Sequence, residues 1–225
     1  MERHFDGILK DLNKNILKMG AYAEEAIYKS MDALRNRDKE LARVVISNDS
    51  KVDELELAID EKCIDLIATH QPMARDLRFI TTGMKLNAEL ERIADIAVDI
   101  AQRVLEIADK PLLKPLEDLP RLAAVAQNMV KTAIDSFIKG DVDLAKKVLL
   151  SDPEADSLRN MIQKELVEDY MVKDGSTSPR AVQLLLIARF LERICDHATN
   201  IAEDVIYMVQ AKVVKHHPEK LKNGS

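Results

Sequence analysis

Residues 85–104 read KLNAELERIADIAVDIAQRV, and residues 186–205 read LIARFLERICDHATNIAEDV. In each stretch the apolar residues return at alternating steps of four and three, which is the spacing of one buried face of an α-helix. The two stretches share Leu-Glu-Arg-Ile, an Asp two positions later and a further Ile-Ala pair, all at an offset of 101 residues. We therefore interpret them as equivalent helices of a chain that repeats itself.

A second match lies upstream of the first. Residues 38–53 (DKELARVVISNDSKVD) align with residues 141–156 (DVDLAKKVLLSDPEAD) at an offset of 103. Two matches in the same order predict a tandem duplication. We expect each copy to contain a long helix, a short helix and two more long helices. The Pro-containing linker 109–120 divides the chain, so we predict one domain over residues 1–110 and a second over residues 111–225.

The composition supports an all-α protein. Aromatic residues make up only 4% of the chain, and it has 6 Gly and 7 Pro in 225 residues. A sheet protein needs more aromatic and β-branched residues and frequent turn residues. A helix of 30 residues is roughly 45 Å long. The fold class we predict is therefore two tandem, homologous three-helix bundles of elongated antiparallel helices.

Charge and hydropathy exclude several classes of protein. The formal net charge is −6, which argues against a nucleic-acid-binding surface. The longest apolar run is far shorter than the roughly 18 residues needed to span a bilayer. The N-terminal MERHFDG is charged and has no apolar stretch typical of a secretory signal. We expect a cytoplasmic protein whose two cysteines, Cys63 and Cys195, are reduced thiols in or near the core.

Acidic residues recur at helical spacing in both copies. Because residues four apart lie on one helix face, like charges at this spacing repel each other. The pattern occurs in the helix that carries Leu-Glu-Arg-Ile and in the helix before it. In the first copy the residues are Asp49, Asp53, Glu91, Asp95 and Asp99, here called the first acidic cluster. In the second copy they are Asp152, Asp156, Glu192, Asp196 and Asn200, here called the second acidic cluster.

Antiparallel pairing brings the two parts of each cluster to a similar height. If the first hairpin turns near residues 71–72, Asp49 lies level with residue 94. If the second turns near residues 176–177, Asp152 lies level with residue 201. Converging carboxylates need cations, and oxygen ligands suit Mg²⁺, Ca²⁺, Mn²⁺ or iron. The sequence thus predicts a site for divalent or iron ions in each copy.

Simpler interpretations of the same residues stay open. Asp49 and Asp152 are also suitable helix N-caps. Arg92 and Arg193 are placed to neutralise the acidic residues beside them, and an acidic outer face is often only solvated.

No catalytic signature accompanies the acidic residues. The chain has no Gly-rich phosphate loop, no Glu followed three residues later by His, and no serine or cysteine nucleophile motif. We therefore expect a non-enzymatic protein with no organic cofactor. A metal-storage protein or a metal-dependent hydrolase that uses the carboxylates is the alternative, and a passive helical scaffold is a third.

Four stretches resemble the PhoU family, the phosphate-uptake regulators that accompany bacterial phosphate transporters. They are HFDGILKDLNKNILKMGAYAEEAI at residues 4–27, HQPMARDLR at residues 70–78, LERIADIAVDIA at residues 90–101 and LERICDHATNIAE at residues 191–203. The combination of HQPxARDLR with two LERI segments is specific. The resemblance covers nearly the whole chain.

The resemblance implies a fold, a role and partners. The fold is a pair of three-helix bundles, often dimeric, so we expect a homodimer. The role is to repress the phosphate-starvation response when phosphate is plentiful. The implied partners are the ATPase subunit of a phosphate transporter and a sensor histidine kinase, and the protein reaches the membrane only through them. In some members the acidic motifs bind multinuclear metal clusters, and Asn200 then implies a weaker second site.

Three charged residues have no evident counterpart in the second copy. Arg75, Asp76 and Arg78 belong to HQPMARDLR, whose place in the second copy is taken by Gly175–Pro179. Either they fix a tight hairpin or they form a partner-facing surface present only on the first copy.

Overall fold

The structure is a computed structural model that describes residues 2–214, and within that range it contains helices and turns but no strand. The predicted all-α class is confirmed. Seven α-helices follow one another: α1 Glu2–Asn36, α2 Lys39–Ser47, α3 Asp49–His70, α4 Ala74–Ile107, α5 Asp118–Lys139, α6 Val142–Glu165 and α7 Ser178–Gln210.

The first bundle consists of α1, α3 and α4, with the short α2 packed beside them. Asp38 begins α2 as its N-cap, since its carboxylate accepts a hydrogen bond from the backbone N–H of Leu41 at 2.9 Å. At the far end of α3, Gln71 adopts a left-handed conformation (φ 46°) that reverses the chain into α4. The arrangement of four helices predicted for the first copy is confirmed.

The second bundle consists of α5, α6 and α7. Gly140, in the left-handed region at φ 61°, ends α5, and Asp141 caps α6 through the N–H groups of Asp143 and Leu144. A separate short helix is absent here, so the prediction of one in the second copy was wrong. The chain continues in helical conformation through Pro153, where the first bundle breaks at Asn48 between α2 and α3.

The hairpin of the second bundle is wider than that of the first. A π-helical turn, Leu166–Met171, continues α6, and a 3₁₀ turn, Gly175–Thr177, precedes α7. The midpoint of this connection lies before residues 176–177, where the sequence analysis placed the turn.

The two bundles share one apolar core. α4 packs along α7 and α1 packs against α5, and the buried residues of both bundles form a single cluster. The crossing of α1 and α5 is close at Gly20, where a Cβ atom would lie 2.6 Å from Cδ1 of Ile134. The division at residue 110 stays a prediction, and residues 215–225 of the predicted second domain lie outside the described part.

Two further properties bear on the expectations from sequence. Within residues 2–214 no helix is both long enough and apolar enough to cross a membrane. Cys63 and Cys195 are buried free thiols, as predicted, and burial raises the pKa of Cys63 to about 12.

Candidate functional site

The first acidic cluster lies where the start of α3 faces the middle of α4. The register between these helices is set by Asn87, a fully buried residue whose Nδ2 donates to the carbonyl of Glu56 at 2.9 Å and to Asp60 at 3.1 Å. This contact confirms the predicted register of the first hairpin. It places Asp49 beside Asp95 across the two helices.

The carboxylates of this cluster repel one another. Burial, followed by the charge of Asp95, raises the pKa of Glu91 to about 7, and Glu56 adds to the effect. Burial and then the charges of Asp53 and Asp95 raise the pKa of Asp49. Sequence reasoning missed Glu56, although it is one helical turn from Asp53 on α3. The cluster therefore holds more negative charge than the surroundings neutralise.

Arg92 supplies part of the neutralisation. Its guanidinium lies 3.4 Å from Glu91 and 3.1 Å from Asp95. The Glu91 side chain is only 18% exposed because α3 covers it, so it lies in an interhelical groove and not on an open outer face. The half-buried Asp99 is not among the charges that raise the pKa of the other members.

Asp49 is not a helix cap. The N-cap position of α3 is Asn48, and no side chain makes a capping hydrogen bond there. Oδ1 of Asp49 is instead buried without a hydrogen-bond partner among the described residues, and the side chain lines a space of about 250 Å³ between the first four helices. The N-cap interpretation was therefore wrong for Asp49.

The second acidic cluster is formed by Asp152 and Asp156 of α6 with Glu192 and Asp196 of α7. Burial, followed by Glu192, Asp152 and Asp156, raises the pKa of Asp196 to about 6. Burial, followed by Asp156 and Glu192, raises the pKa of Asp152. Asp152 was predicted to lie level with residue 201, but its acidic neighbours, Glu192 and Asp196, lie earlier on α7.

The cation of the second cluster is Arg159. Its Nη2 lies 3.4 Å from Glu192 and 3.9 Å from Asp156. Arg193, the neutralising residue suggested by sequence, is exposed and makes no ion pair within residues 2–214. Asp152 lies in the interior of α6, so its interpretation as an N-cap was also wrong. Arg159 was missed although it lies one helical turn after Asp156 on α6.

Asn200 lies at the contact between the bundles. Its Nδ2 lies 3.3 Å from Glu89 of α4, and the same carboxylate lies 2.5 Å from Nδ1 of His197. Asn200 is thus turned away from the other four members of the second cluster towards α4. Glu89, also missed by the sequence analysis, joins the two bundles between their acidic clusters.

The carboxylate oxygens of both clusters are the donors that hard cations prefer. A cation in this groove would contact the buried, unpartnered Oδ1 of Asp49 and would favour the ionised form of Glu91, whose pKa burial raises. In the part of the chain that the structure describes, however, no three His, Cys, Asp or Glu side chains already converge as a metal shell. A cation would therefore have to compete with Arg92 or Arg159 and draw the carboxylates together.

The three charged residues of the first hairpin have different environments. Arg75 is exposed and Asp76 is half-buried in the first turn of α4. Arg78 donates from Nε to the carbonyl of Met208 at 3.1 Å, so it binds the end of α7 in the other bundle. Arg180, in the first turn of α7, donates in the same way to the carbonyl of Pro111 at 3.2 Å. Arg78 therefore has a structural counterpart that the alignment did not reveal.

The sequence matches the family model described as "PhoU domain" twice, over residues 16–104 and 119–205. These two ranges fall on the two bundles. They include both acidic clusters and leave the linker between them unmatched.

Relatives along almost the whole chain carry corresponding names. A Thermotoga maritima protein named "Phosphate-specific transport system accessory protein PhoU homolog 2" is 35% identical over 98% of this chain and 94% of its own length. An Aquifex aeolicus PhoU homologue is 39% identical over 95% of this chain and 96% of its own. The Escherichia coli K12 accessory protein PhoU is 35% identical over 94% of this chain and 88% of its own.

Two solved structures have the same fold. The crystal structure of PhoU from Pseudomonas aeruginosa superposes with a TM-score of 0.88 at 34% identity, covering 92% of this chain and 100% of that one. The phosphate transport system regulatory protein PhoU from Streptococcus pneumoniae gives 0.87 at 28% identity, covering 93% and 99%. The tandem-bundle architecture is therefore the one seen in these crystals.

Proposed function

Because the chain belongs to the PhoU family, we propose that it is a non-enzymatic regulator of phosphate uptake and of the phosphate-starvation response. It acts through contacts with other proteins, and it represses the response when phosphate is plentiful. The observation that carries this proposal is the sequence match to accessory proteins of a phosphate-specific transport system. The match extends along almost the full length of this chain and of each relative.

The proposed partners are the ATPase subunit of a phosphate transporter and a sensor histidine kinase, both met at the cytoplasmic side of the membrane. No described helix can cross a membrane, so in this proposal the chain reaches the transporter by docking. A homodimer is the proposed assembly. We also propose that each bundle is a domain of its own, divided near residue 110.

The exposed tip of the first hairpin is the proposed partner surface. Met73 is 81% exposed, and Arg75 beside it is exposed as well. Arg78 is hydrogen-bonded to the end of α7, so of the three charged residues only Arg75 and Asp76 are proposed to contact a partner.

A pull-down tests the proposal. The tagged chain is recovered from phosphate-replete and phosphate-starved cells, and co-purified proteins are identified by mass spectrometry. We expect the transporter ATPase and the kinase in the replete sample. Arg75→Glu should reduce their recovery, whereas Arg193→Glu, a reversal of another exposed arginine, should not. Recovery of neither partner at high phosphate would contradict the proposal.

Cation binding at the acidic clusters is a second, separate candidate. The observations in its favour are the pKa of Glu91, which burial and then the neighbouring carboxylates raise to about 7, and the nearby Asp49 oxygen that has no described partner. We propose that divalent or iron ions bind there, more tightly in the first cluster than in the second, because Asn200 faces Glu89.

Calorimetric titration of the purified, chelator-treated chain with Mn²⁺ and with Fe²⁺ tests this candidate. Glu91→Gln should weaken binding at the first cluster, and Glu192→Gln at the second. A phosphatase assay with the same ions separates storage or regulation from hydrolysis, and turnover would favour the hydrolytic alternative. If neither Mn²⁺ nor Fe²⁺ gave binding heat, the clusters would be acidic surfaces neutralised by arginine and not metal sites.

A further inference from the structure

One side of α3 faces water along most of its length. The buried residues of this helix pack against α1 and α4, and they leave the opposite side without a neighbour. On that side, exposed residues follow one another at steps of three and four, so they form one continuous row along the helix. The row is here called the outer stripe of α3, and it consists of Glu54, Leu57, Glu61, Ile64 and Ala68. Nothing in residues 2–214 covers this stripe.

The outer stripe presents two large apolar side chains. Leu57 is 67% exposed and Ile64 is 57% exposed. They lie seven residues apart, which is two helical turns or roughly 10 Å. Leu and Ile at this spacing are typical of a seam along which one helix packs lengthwise on another. Beside the stripe, Glu61 also lines an open groove of about 290 Å³ between α3 and Ile8 of α1.

The charge around these apolar residues is strongly negative. α3 carries seven carboxylates and two lysines, a formal net charge of −5. Within residues 2–214, none of the seven carboxylates forms an ion pair. One of the two lysines, Lys51, is hydrogen-bonded to Oδ1 of Asn48 at 2.6 Å. The negative charge of α3 is therefore not neutralised by the described part of the chain.

The corresponding helix of the second bundle lacks this stripe. The offset of 103 residues holds along α3 and α6, because buried residues match buried residues: Val52, Ile59 and Cys63 correspond to Ala155, Ile162 and Leu166. At the positions of Glu54, Leu57 and Glu61, α6 has the exposed residues Ser157, Asn160 and Lys164. The apolar and acidic character of the outer stripe thus belongs to the first bundle.

The charge of α6 is also more balanced. It carries five carboxylates and four basic residues, a formal net charge of −1. Three of the five carboxylates are paired, Asp143 with Lys146, Asp156 with Arg159 and Glu165 with Lys114. The excess of unpaired carboxylates on α3 is therefore not a general property of the repeated unit.

The chemistry of the stripe defines what fits it. A partner has to cover apolar side chains and bring positive charge. A second copy that paired through the same stripe would bring the same carboxylates, and nucleic acid or an anionic membrane would be repelled. We therefore propose that the outer stripe of α3 is a docking surface for a basic amphipathic helix of another protein. The apolar face of that helix covers Leu57 and Ile64, and its Lys or Arg side chains lie against Glu54 and Glu61.

A designed peptide tests this inference on the purified full chain, so the test does not depend on the transporter ATPase or the kinase. The probe is a fluorescein-labelled peptide of about 18 residues, five helical turns, with leucines at steps of three and four and lysines elsewhere. Fluorescence anisotropy measures its binding at about 0.15 M NaCl. We expect binding at least about tenfold tighter than that of a scrambled peptide of the same composition. A peptide with glutamate in place of lysine should not bind.

The double variant Leu57→Ser/Ile64→Ser tests the apolar part of the stripe. It should weaken binding of the leucine-lysine peptide about tenfold, because less apolar surface is buried in the complex. Both side chains are exposed, so the thermal midpoint should stay the same. Leu150→Ser/Met161→Ser is the matched control, since these residues are 80% and 44% exposed on α6. It should change the affinity by less than about twofold.

The double variant Glu54→Gln/Glu61→Gln tests the charged part. It should weaken binding about fivefold and make the affinity less sensitive to salt, because fewer charges remain to be screened. Glu154→Gln/Glu168→Gln removes the same charge from exposed positions of the second bundle and should have a smaller effect on both quantities.

Three results would overturn the inference. Equal losses of affinity in the two charge variants would show that the peptide responds to the total charge of the protein. Unchanged affinity in Leu57→Ser/Ile64→Ser would show that the peptide binds elsewhere. Sedimentation velocity gives the third: if the same substitutions turned a dimer into a monomer, a second copy and not a basic helix would cover the stripe.

Discussion

Arg78 and Arg180 occupy corresponding places in the two bundles, each in the first turns of the bundle's last helix. Each donates a hydrogen bond to a backbone carbonyl at or just beyond the far end of the other bundle's last helix, Met208 for Arg78 and Pro111 for Arg180. Carbonyls at a helix C-terminus lack partners within the helix, so a cationic side chain stabilises them. The duplication has produced a reciprocal pair of contacts that hold the bundles together.

Replacing Arg78 should therefore destabilise the protein, whereas replacing its neighbour Arg75 should not. Arg78→Met removes a charge-assisted hydrogen bond to a partly buried carbonyl, which costs about 1–2 kcal/mol in the free energy of unfolding. Arg75→Met, at an exposed position, should leave the urea midpoint unchanged. Equal urea midpoints for the two variants would show that Arg78, like Arg75, makes no stabilising contact.

The raised pKa of Glu91 predicts that Glu91→Gln increases the stability of the folded state in a pH-dependent way. The folded state holds a proton on Glu91 up to about pH 7, while the ordinary value is 4.5. The folded chain therefore binds more protons than the unfolded chain between these values, and its stability falls as pH rises through that window. Glutamine cannot ionise, so the variant avoids this loss.

Urea unfolding in the presence of a chelator, at about pH 4 and about pH 8, measures the effect. We expect equal stability at the lower pH. At the higher pH the variant should gain about 1 kcal/mol, a value reduced for the partial exposure of the cluster and the nearby Arg92. A difference of the same size at both pH values would show that packing, and not charge, separates the two proteins.

Arg159→Met should weaken the second bundle, and Arg193→Met provides the matched control. Arg159 bridges Asp156 and Glu192, and its loss leaves these partly buried carboxylates facing each other. The expected cost is about 1 kcal/mol. Arg193 is exposed and makes no described ion pair, so its replacement should move the thermal midpoint little. If Arg193→Met lowered the thermal midpoint more than Arg159→Met, Arg193 would be the residue that neutralises the cluster.

The close crossing of α1 and α5 predicts that Gly20→Leu is destabilising. Even a Cβ atom at Gly20 would lie 2.6 Å from Ile134, so a larger side chain has to push the helices apart, at about 1–3 kcal/mol. Gly7→Leu should be neutral or slightly stabilising, because a Cβ atom at Gly7 would have no neighbour within 4 Å. Thermal unfolding of both variants checks the contrast.

Both cysteines should be unreactive in the native protein. Burial raises the pKa of both thiols, that of Cys63 to about 12, and the reactive species is the thiolate. A thiol reagent such as 5,5′-dithiobis(2-nitrobenzoate) should label neither residue in buffer and both in denaturant. Rapid labelling of one thiol in buffer would indicate local opening at that site.

Periodicity was sufficient to predict the helices that carry the apolar faces, because the repeating steps of three and four in α4 and α7 depend on local sequence. It failed where the same short pattern has two outcomes. The chain breaks at Asn48 in the first bundle but remains helical through Pro153 in the second, although the two stretches align.

The candidate site, too, was predicted only in part. Register arguments placed Asp49 near Asp95, since the first hairpin is tight. They placed Asp152 level with residue 201, whereas its acidic neighbours Glu192 and Asp196 lie nearer the start of α7. Arg159 lies three residues after Asp156, so its spacing could have indicated it, whereas Glu89 acts across the bundles, where spacing along one helix carries no information.

The shared core has a consequence for how the duplicated halves depend on each other. Residues of both bundles belong to one buried cluster, in which α4 and α7 each cover an apolar face of the other. A half produced alone would present that face to water and would tend to find a second copy of itself. Each bundle thus covers an apolar face of the other, so we expect either bundle produced alone to be less stable than it is in the full chain.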